Sequence, residues 1–442
     1  MKASQYNFIF NDIIENTDKT VLYNSRTGAL AVLEPEYYKQ FCELTNNGLA
    51  INNDTYLKNL IECGYIVEDN MNEKAYVKVN LLKNRFESSN LMLTIAPTMA
   101  CNFRCVYCFE KDQYHNKTMS QETAQSIVNF VKTNASKLDT LNVTWYGGEP
   151  LIAMKQIVRI SEDFLEICKE NNIQYTASVI TNGYLLNKEK VQTLISCGVN
   201  DIQVTVDGPK EVHDLRRPLV SGRGTFDVIM NNLKQIKGMI KIFMRINTDQ
   251  DNWLNLHEIV GFLKENSLLE NVIPYLGLVT PTNGKYEGTK CLTDEMYSKF
   301  NLKFMSENDI PISYIYPAPK GNYCSADKYN SFVIDPLGHL YKCWSDIGII
   351  EQCVGNINED TSVNWNTELL GCYLLYDPTE DEKCSDCKYL PVCLGGCPHN
   401  RMADFNICEQ YRYNLQEYIT ECTKVLLAGQ LTENKKEVSE SC

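Results

Sequence analysis

The chain has 442 residues, which is enough for two or three domains. Hydrophobic residues make up 44% and charged residues 22%, and this composition excludes wholesale disorder. The net charge of −14 disfavours nucleic acid as a partner, because phosphate binding needs clustered Lys and Arg. Apolar runs stay well short of the roughly 20 residues that a membrane span needs, and no signal peptide is evident, so we expect a cytoplasmic protein.

Residues 1–85 show the pattern of a small separate domain. Strand-like runs at 6–10, 20–23 and 30–33 precede two helical patterns at 34–44 and 53–62, and a short strand is expected at 64–67. This order is typical of a winged-helix-like domain. The stretch 74–90 is mostly polar and is predicted to be a linker.

Apolar runs alternate with helical patterns from residue 91 onward. The predicted strands are 91–96, 142–146, 174–180, 201–206, 241–247 and 272–278, and the predicted helices are 120–137, 154–170, 187–196, 225–237 and 254–265. Alternating strands and helices predict a parallel sheet with crossover helices. The fold class is therefore α/β, as a partial (β/α)6 TIM-like barrel over 86–310, whose active site would lie at the carboxyl ends of the strands.

The regular alternation stops at about residue 320, where cysteine density rises. We expect a cysteine-rich domain over 311–430, held together by metal more than by an apolar core, and a charged, disordered tail over 431–442. The chain has 19 cysteines. In a reducing cytosol, cysteines at short fixed spacings bind metal more often than they form disulfides.

The sharpest motif is Cys101-Asn-Phe-Arg-Cys105-Val-Tyr-Cys108, directly after the first barrel strand. Three thiolates on one loop hold three irons of a [4Fe–4S] cluster and leave the fourth iron open to a small molecule. A structural zinc loop is the alternative. It usually needs four ligands, and neither His nor a fourth Cys lies close by.

This loop, with an aromatic residue before its last cysteine and a βα barrel behind it, resembles the radical SAM superfamily. The resemblance implies that the open iron chelates S-adenosylmethionine (SAM). An electron from the cluster would cleave SAM to methionine and a 5′-deoxyadenosyl radical, which would abstract a hydrogen atom from substrate. The cofactors carry the hard chemistry, and the protein orients and shields them.

The same resemblance assigns cofactor-binding residues at the ends of the next strands. They are Tyr107 in the cysteine loop, Gly147-Gly148-Glu149-Pro150 after the second strand, Asn182 after the third, and Thr205 and Arg217 around the fourth. Two glycines at a strand end let backbone approach a ligand closely, and a carboxylate accepts from an ammonium group. His213 and Asp214 are alternatively caps of the following helix. Arg245 on the fifth strand is a weaker candidate for the barrel interior.

Seven further cysteines resemble the SPASM extension of radical SAM enzymes. The resemblance implies two auxiliary [4Fe–4S] clusters, one on Cys384, Cys387, Cys393 and Cys408, the other on Cys324, Cys343 and Cys397. Cys353 is a spare candidate for the fourth ligand of the second set. A zinc-ribbon interpretation of the CxxC part explains neither Cys324 nor Cys343.

SPASM-bearing enzymes act mainly on peptides and proteins, and two classes compete here. Maturases of ribosomally made peptides form thioether or other crosslinks or epimerise residues, whereas anaerobic sulfatase maturases oxidise Cys or Ser to formylglycine. Residues 1–85 resemble peptide-recognition modules that bind a precursor's leader as an added strand. Sulfatase maturases carry an acid directly after the second SPASM cysteine, where this chain has Trp344, with Asp346 two residues further on.

The sequence therefore predicts an anaerobic radical SAM oxidoreductase that crosslinks a precursor peptide. Its partners would be that peptide and an electron donor such as flavodoxin or ferredoxin. No catalytic acid or base is assigned. Formylglycine formation is one alternative, and a non-enzymatic iron–sulfur redox or sensor protein is another, although the GGEP motif and the intact barrel are not needed merely to hold clusters.

Overall fold

The computed structural model describes residues 1–47, 55–111, 117–284, 286–357, 365–405 and 408–439. Residues 53 and 54 of the second predicted helix lie outside these ranges. The chain divides into two compact units. The sheet unit comprises Phe86–Thr293 and Cys324–Leu375, and the terminal unit comprises Met1–Arg85, Asp294–Tyr323 and Tyr376–Cys442.

The described part of residues 1–85, in the terminal unit, contains two small sheets and three helices. Strands β1 to β5 are Lys2–Ala3, Asn7–Phe10, Thr20–Asn24, Leu30–Leu33 and Ile66–Val67, and helices α1 to α3 are Pro35–Asn47, Thr55–Glu62 and Glu73–Arg85. Strands β2, β3 and β4 pair antiparallel in that order, and β1 pairs with β5. Leu22, Leu33, Phe41 and Leu60 meet in one buried cluster, so the three-stranded sheet and the first two helices share a core.

Helix α3 occupies the segment predicted to be a polar linker. Val77, Leu81 and Arg85 are buried at intervals of four residues, which places them on one helix face. Val77 and Leu81 pack against Leu390, and the Arg85 guanidinium donates to the Tyr376 carbonyl at 2.7 Å. The linker prediction is wrong because so narrow an apolar stripe barely shows in a mostly polar segment.

The sheet unit is built on a nine-stranded sheet whose first six strands run parallel. Strands β6 to β11 are Asn90–Ile95, Thr140–Trp145, Gln174–Thr181, Val199–Thr205, Lys241–Thr248 and Val272–Leu278. Helices α4 to α9 are Gln121–Asn134, Met154–Asn171, Lys188–Ser196, Lys210–Arg216, Phe226–Gln235 and Leu256–Glu265. Six parallel strands with intervening helices confirm the predicted α/β class with a (β/α)6 TIM-like core.

The two faces of these strands differ in polarity. Leu91, Leu93 and Ile95 of β6 are fully buried in alternation, as expected for a strand covered by helices on one face. Half-buried polar side chains on the intervening positions contact one another, as Thr144 and Ser178 do at 3.2 Å. The sheet therefore presents a polar face on which a site for a polar cofactor can form.

The region after residue 320 adds three strands to the sheet. Strand β12, Ser331–Ile334, pairs parallel with β6, and it forms an antiparallel ribbon with β13, His339–Tyr341, and β14, Gly355–Asn356. All four residues of β12 are buried. This segment has an apolar contribution of its own, because its short apolar run adds a buried strand between β6 and β13. That metal holds the cysteine-rich domain together stays a prediction.

The remaining helices are α10, Asp294–Glu307, α11, Thr367–Leu374, α12, Leu390–Cys393, α13, Pro398–Met402, and α14, Tyr411–Ser439. Helix α11 belongs to the sheet unit and the others belong to the terminal unit. Val21, Leu302 and Tyr418 share a buried cluster that joins β3, α10 and α14. Helix α14 extends into the segment 431–442, for which the sequence predicts disorder. Within the described ranges, no helix is long and apolar enough to cross a bilayer.

Candidate functional site: a cysteine loop at the strand ends

The loop that carries the three clustered cysteines is held by a second segment of the sheet unit. The amides of Arg104 and Val106 donate to the carbonyls of Pro218 and Arg216 at 2.8 and 3.0 Å, and Val220 donates to Asn102 at 2.9 Å. Burial raises the pKa of the Cys101 thiol, and burial also raises the pKa of Cys105, against which the charge of Arg217 acts. The loop is therefore fixed by its backbone, while Cys101, Cys105 and Cys108 stay unbridged by disulfides.

Two glycines after β7 make room for this loop. A Cβ on Gly148 would lie 2.5 Å from the Met99 carbonyl oxygen and 2.6 Å from that of Ala100. A Cβ on Gly147 would lie 2.4 Å from the Thr98 carbonyl oxygen, and Gly147 has a φ of 108°. The sequence predicts that a ligand lies close to these two glycines. In the structure, the backbone that precedes the cysteine loop lies directly against them.

The carboxylate of Glu149 joins the ends of two strands. It accepts hydrogen bonds from the Leu151 amide at 3.0 Å, the Thr181 hydroxyl at 2.8 Å and the Asn182 amide at 2.8 Å. Burial raises its pKa, and these donors oppose the rise. The side-chain amide of Asn182 in turn donates to the side chain of Asn102 at 2.8 Å, next to Cys101. The predicted cofactor contacts of Glu149 and Asn182 stay predictions.

A buried group of charges follows β9. Arg216 donates to Asp207 at 3.1 Å and binds Asp249 through both carboxylate oxygens at 2.9 and 2.8 Å. Arg217 donates to the Tyr107 hydroxyl, to which Asn247 also donates at 3.0 Å. The structure thereby brings two of the predicted cofactor residues, Tyr107 and Arg217, into direct contact, and Thr205 at the end of β9 lines the cavity described below.

His213 and Asp214 have separate structural roles. The Asp214 carboxylate accepts from the amides of Thr225 and Phe226 at 2.7 and 2.8 Å and so caps α8. His213 is fully buried, its Nδ1 accepts from the Asp207 amide at 3.2 Å, and its Nε2 lies 3.0 Å from the Thr225 hydroxyl. Burial lowers the pKa of His213 to about 4, so the ring is neutral at pH 7.

We expect His213 to make the protein less stable as the pH falls. The unfolded chain binds a proton near pH 6.5 and the folded chain only near pH 4, so stability is lost between these values. Wild type should lose about 2 kcal/mol by pH 5 relative to His213→Asn, in which the amide oxygen replaces Nδ1 as acceptor and does not titrate. Parallel urea unfolding of both proteins at pH 7 and pH 5 measures this difference. If the difference in unfolding free energy between the two proteins were the same at pH 7 and pH 5, the His213 ring would not be neutral in the folded protein.

A cavity of about 280 Å³ lies at the carboxyl ends of the strands. Its lining is mainly aromatic and neutral polar, and its members are Tyr107, Phe109, Tyr146, Ile180, Gln203, Thr205, Arg245, Asn247, Leu278, Val279, Thr280, Thr282, Trp344 and Ser345. Arg245 is the only charged residue among them. From the sequence, Arg245 is only a weak candidate for the site, because half of all strand residues face away from a barrel interior. The structure places it in the lining of this cavity.

The C-terminal cysteines fall into the two units. Cys384, Cys387, Cys393 and Cys408 all line one cavity of about 930 Å³ in the terminal unit. Cys324 and Cys343 pack in one apolar cluster of the sheet unit, and Cys397 belongs to the terminal unit. Cys353 lies in a different cluster, with Tyr341 and Met99, and its thiol donates to the Gly355 carbonyl at 2.9 Å. Among the described residues, no three His, Cys, Asp or Glu side chains converge on a single-ion position.

The site has the donors that a [4Fe–4S] cluster and a zwitterionic nucleotide need. Three thiols share one fixed loop, and cysteine thiolates are the ligands of such clusters. Two buried nitrogen atoms nearby, Arg216 Nη2 and Arg217 Nε, have no hydrogen-bond partner among the described residues. Buried donors of this kind are normally satisfied, so their presence beside the cysteine loop fits a bound anionic group.

Comparison with known proteins identifies a family model that matches part of the sheet unit. Residues 95–263 match the model of the Radical SAM superfamily. A cysteine-type anaerobic sulfatase-maturating enzyme of Clostridium novyi (strain NT) is 25% identical over 375 residues, which cover 76% of this chain and 97% of the relative. An uncharacterized protein of Archaeoglobus fulgidus is 27% identical over 342 residues, which cover 71% of this chain and 76% of that protein.

Solved structures with the same fold extend the comparison. Native anSMEcpe with bound AdoMet and a peptide has a TM-score of 0.58 at 20% identity, and the match covers 77% of this chain and 98% of that one. Streptococcus suis SuiB bound to its precursor peptide SuiA has a TM-score of 0.52 at 15% identity, and the match covers 91% and 96%.

The chain carries a radical SAM domain, and the protein is an enzyme. That domain confirms the predicted cofactors, a [4Fe–4S] cluster and SAM. Cys101, Cys105 and Cys108 would hold the cluster. The individual ligand sets stay predictions.

Sequence reasoning missed several residues that build the site. Asp249, Asn247 and Tyr286 complete the charge network around Arg216 and Tyr107, since the Tyr286 hydroxyl donates to Asp249 at 2.8 Å. The run Asn247-Thr-Asp249 at the end of the fifth strand was the available signal, because polar residues at a carboxyl strand end are candidates for a barrel active site.

Proposed function

We propose that this enzyme is a radical SAM maturase that crosslinks residues of a ribosomally made precursor peptide, with a thioether as the first expected product. The observation that carries the proposal is the cavity at the strand ends, which opens beside the cysteine loop through Tyr107 and Phe109. A mainly aromatic and neutral polar lining suits a peptide segment, since aromatic side chains supply large contact areas and a few polar groups fix orientation.

A peptide substrate is supported by the relatives and the structural neighbours. Sulfatase-maturating enzymes act on proteins, and the structures of anSMEcpe and SuiB were both determined with peptides bound. The SuiB structure aligns with 91% of this chain and the anSMEcpe structure with 77%. Part of this chain therefore has a structural counterpart in SuiB but not in anSMEcpe. That difference favours an enzyme that takes a precursor peptide.

The three-stranded sheet of the terminal unit offers a place for the leader segment. Among the described residues, strand β4 lies at an edge of the β2-β3-β4 sheet, with β3 as its only partner strand. The opposite edge is engaged by a side chain, because Lys388 donates to the Asn7 carbonyl of β2 at 3.0 Å. An extended leader would add to β4 through main-chain hydrogen bonds, with side-chain pockets giving specificity.

The reaction removes two electrons and two hydrogens from the peptide. When bound, the cluster and SAM supply a 5′-deoxyadenosyl radical that takes one hydrogen atom from a substrate carbon. A substrate thiol would lose its proton as the carbon–sulfur bond forms, and the remaining electron needs an acceptor, which an auxiliary [4Fe–4S] cluster would supply. Cys384, Cys387, Cys393 and Cys408, which already line one cavity, would hold such a cluster.

Formylglycine formation is the second candidate, because curated sulfatase-maturating enzymes are among the relatives. The position after Cys343 speaks against it. Trp344 occupies that position and lines the cavity, whereas Asp346 is buried and accepts a hydrogen bond from the Tyr373 hydroxyl. An acid held in this way is not placed to take a proton from a substrate in the cavity.

Mass spectrometry of the peptide product tests the proposal. Anaerobically reconstituted enzyme would be incubated with SAM, dithionite and each short peptide encoded beside its gene. We expect 5′-deoxyadenosine and a product that has lost two hydrogens and no longer reacts with thiol reagents. Exchange of a thiol for an aldehyde would establish formylglycine chemistry, and an unchanged mass with deuterium uptake would establish epimerisation. Absence of 5′-deoxyadenosine would contradict the proposed reaction.

A further inference from the structure

Arg245, which is half-buried, differs from the buried arginines of the sheet unit in its partners. Arg216 is paired with Asp207 and Asp249, and Arg217 lies 3.9 Å from Asp207. Arg245 instead contacts neutral groups among the described residues. Its Nε donates to the side-chain oxygen of Asn247 at 2.7 Å, and its guanidinium hydrogen-bonds the Tyr275 hydroxyl.

Neighbouring strands hold the Arg245 side chain in place. Gly277 lies on β11 beside β10, and a Cβ there would come within 2.6 Å of three guanidinium atoms of Arg245. A glycine inside a strand often marks such a close approach. Tyr275 lies directly opposite Arg245 in the strand register, and its hydroxyl donates a hydrogen bond to the Gln203 side chain. This bond holds the Tyr275 ring in place beside the guanidinium.

The fixed guanidinium retains capacity for an anion. Arg has five N–H donors and never loses its charge, and the neutral contacts of Arg245 use only part of that capacity. The described lining of the cavity contains no Asp or Glu. A cation without a counter-charge in a partly buried cavity is most stable when a ligand supplies the anion, and a carboxylate matches the planar fork of Arg in shape.

We propose that Arg245 binds a carboxylate of the peptide substrate, so that the segment entering the cavity carries an Asp or Glu side chain beside the modified residue. This inference rests on the proposed function. SAM also has a carboxylate, which the family resemblance assigns to Arg217 or Thr205. Both sources share the same chemistry, and the experiment below separates them.

The test uses the reconstituted, unreduced enzyme with SAM and therefore needs no turnover. The probes are N-acetyl-glutamate N-methylamide and the neutral N-acetyl-glutamine N-methylamide, titrated separately in ligand-observed NMR. We expect wild type to bind the acid at least tenfold more tightly than the amide. Arg245→Gln should remove this preference, Arg245→Lys should weaken it, and the exposed matched control Arg223→Gln should retain it.

Two results would overturn the assignment. Equal binding of the two probes by wild type, or no binding of either, would show that the cavity does not select a carboxylate. A loss of SAM affinity in Arg245→Gln would show that the cofactor's carboxylate is the true ligand. Gly277→Ala provides an independent check, since its Cβ displaces the guanidinium without removing charge, and it should reduce acid preference while SAM affinity is unchanged. A failed peptide reaction would contradict the proposed function and leave these binding results standing.

Discussion

Replacing Cys105 by Ser is expected to reduce the cleavage of SAM at least about 1,000-fold, which corresponds to about 4 kcal/mol of barrier. Serine is a poor ligand for iron in a thiolate-bound cluster, so the cluster on Cys101 and Cys108 would lose one of its three fixed irons. The electron that cleaves SAM would come from this cluster, because amino-acid side chains alone do not supply such radical chemistry. The measurement is 5′-deoxyadenosine released under dithionite, together with iron content and the electron paramagnetic resonance signal of the reduced protein.

Cys372→Ser is the matched control for this substitution. Cys372 is an exposed free cysteine of the same unit and lies on helix α11. Its replacement should leave SAM cleavage within about twofold of wild type, because surface substitutions usually have small effects. Equal activity of Cys105→Ser and wild type would contradict the assignment of the cysteine loop to the cluster. Bound zinc in place of iron would contradict it as well.

The parallel core was predictable because its signals are local. In each βα unit a short apolar run indicates the strand, and apolar residues at a 3.6-residue period indicate the helix. Every strand from β6 to β11 matches a predicted run to within a few residues. The polar caps also lie in the sequence, as with Ser120, whose hydroxyl accepts from the Thr123 amide at 3.0 Å. Local periodicity therefore sufficed for the fold class.

Long-range pairing was not predictable in the same way. Strand β12 is only four residues long, and nothing in Ser331–Ile334 shows that its partner is β6, more than 200 residues earlier. The helix α3 was likewise hidden, because its buried stripe consists of few residues in a polar segment. Such elements owe their stability to tertiary packing, which overrides weak local preference.

The site was predictable as a set of motifs and not as a set of contacts. The sequence placed Glu149 and Asn182 at neighbouring strand ends, and the structure joins them by a hydrogen bond of 2.8 Å. The sequence predicts that both residues contact a ligand. In the structure they hydrogen-bond to each other, and Asn182 also hydrogen-bonds to the cysteine loop. Motif residues of this kind can act on the cofactor by fixing the loop that carries it.

Gly148→Ala is therefore expected to remove most of the cluster although it alters no cysteine. The new Cβ would lie 2.5 to 2.6 Å from the carbonyl oxygens of Met99 and Ala100, and real Cβ atoms do not approach backbone so closely. The loop must move, at a cost of about 2–4 kcal/mol, and the three thiols move with it. Iron per protein after reconstitution should fall below half of the wild-type value, and SAM cleavage should fall in proportion.

Gly261→Ala shows whether that loss is specific. Gly261 lies in helix α9, and a Cβ there would meet no atom within 4 Å. Alanine should stabilise this helix by about 0.5–1 kcal/mol, because it has the higher helix propensity, with iron content unchanged. Full iron content in Gly148→Ala would mean that the loop tolerates displacement and that backbone fixation does not set the position of the thiols. A parallel loss in both variants would mean that iron reports general stability instead of the geometry of the cysteine loop.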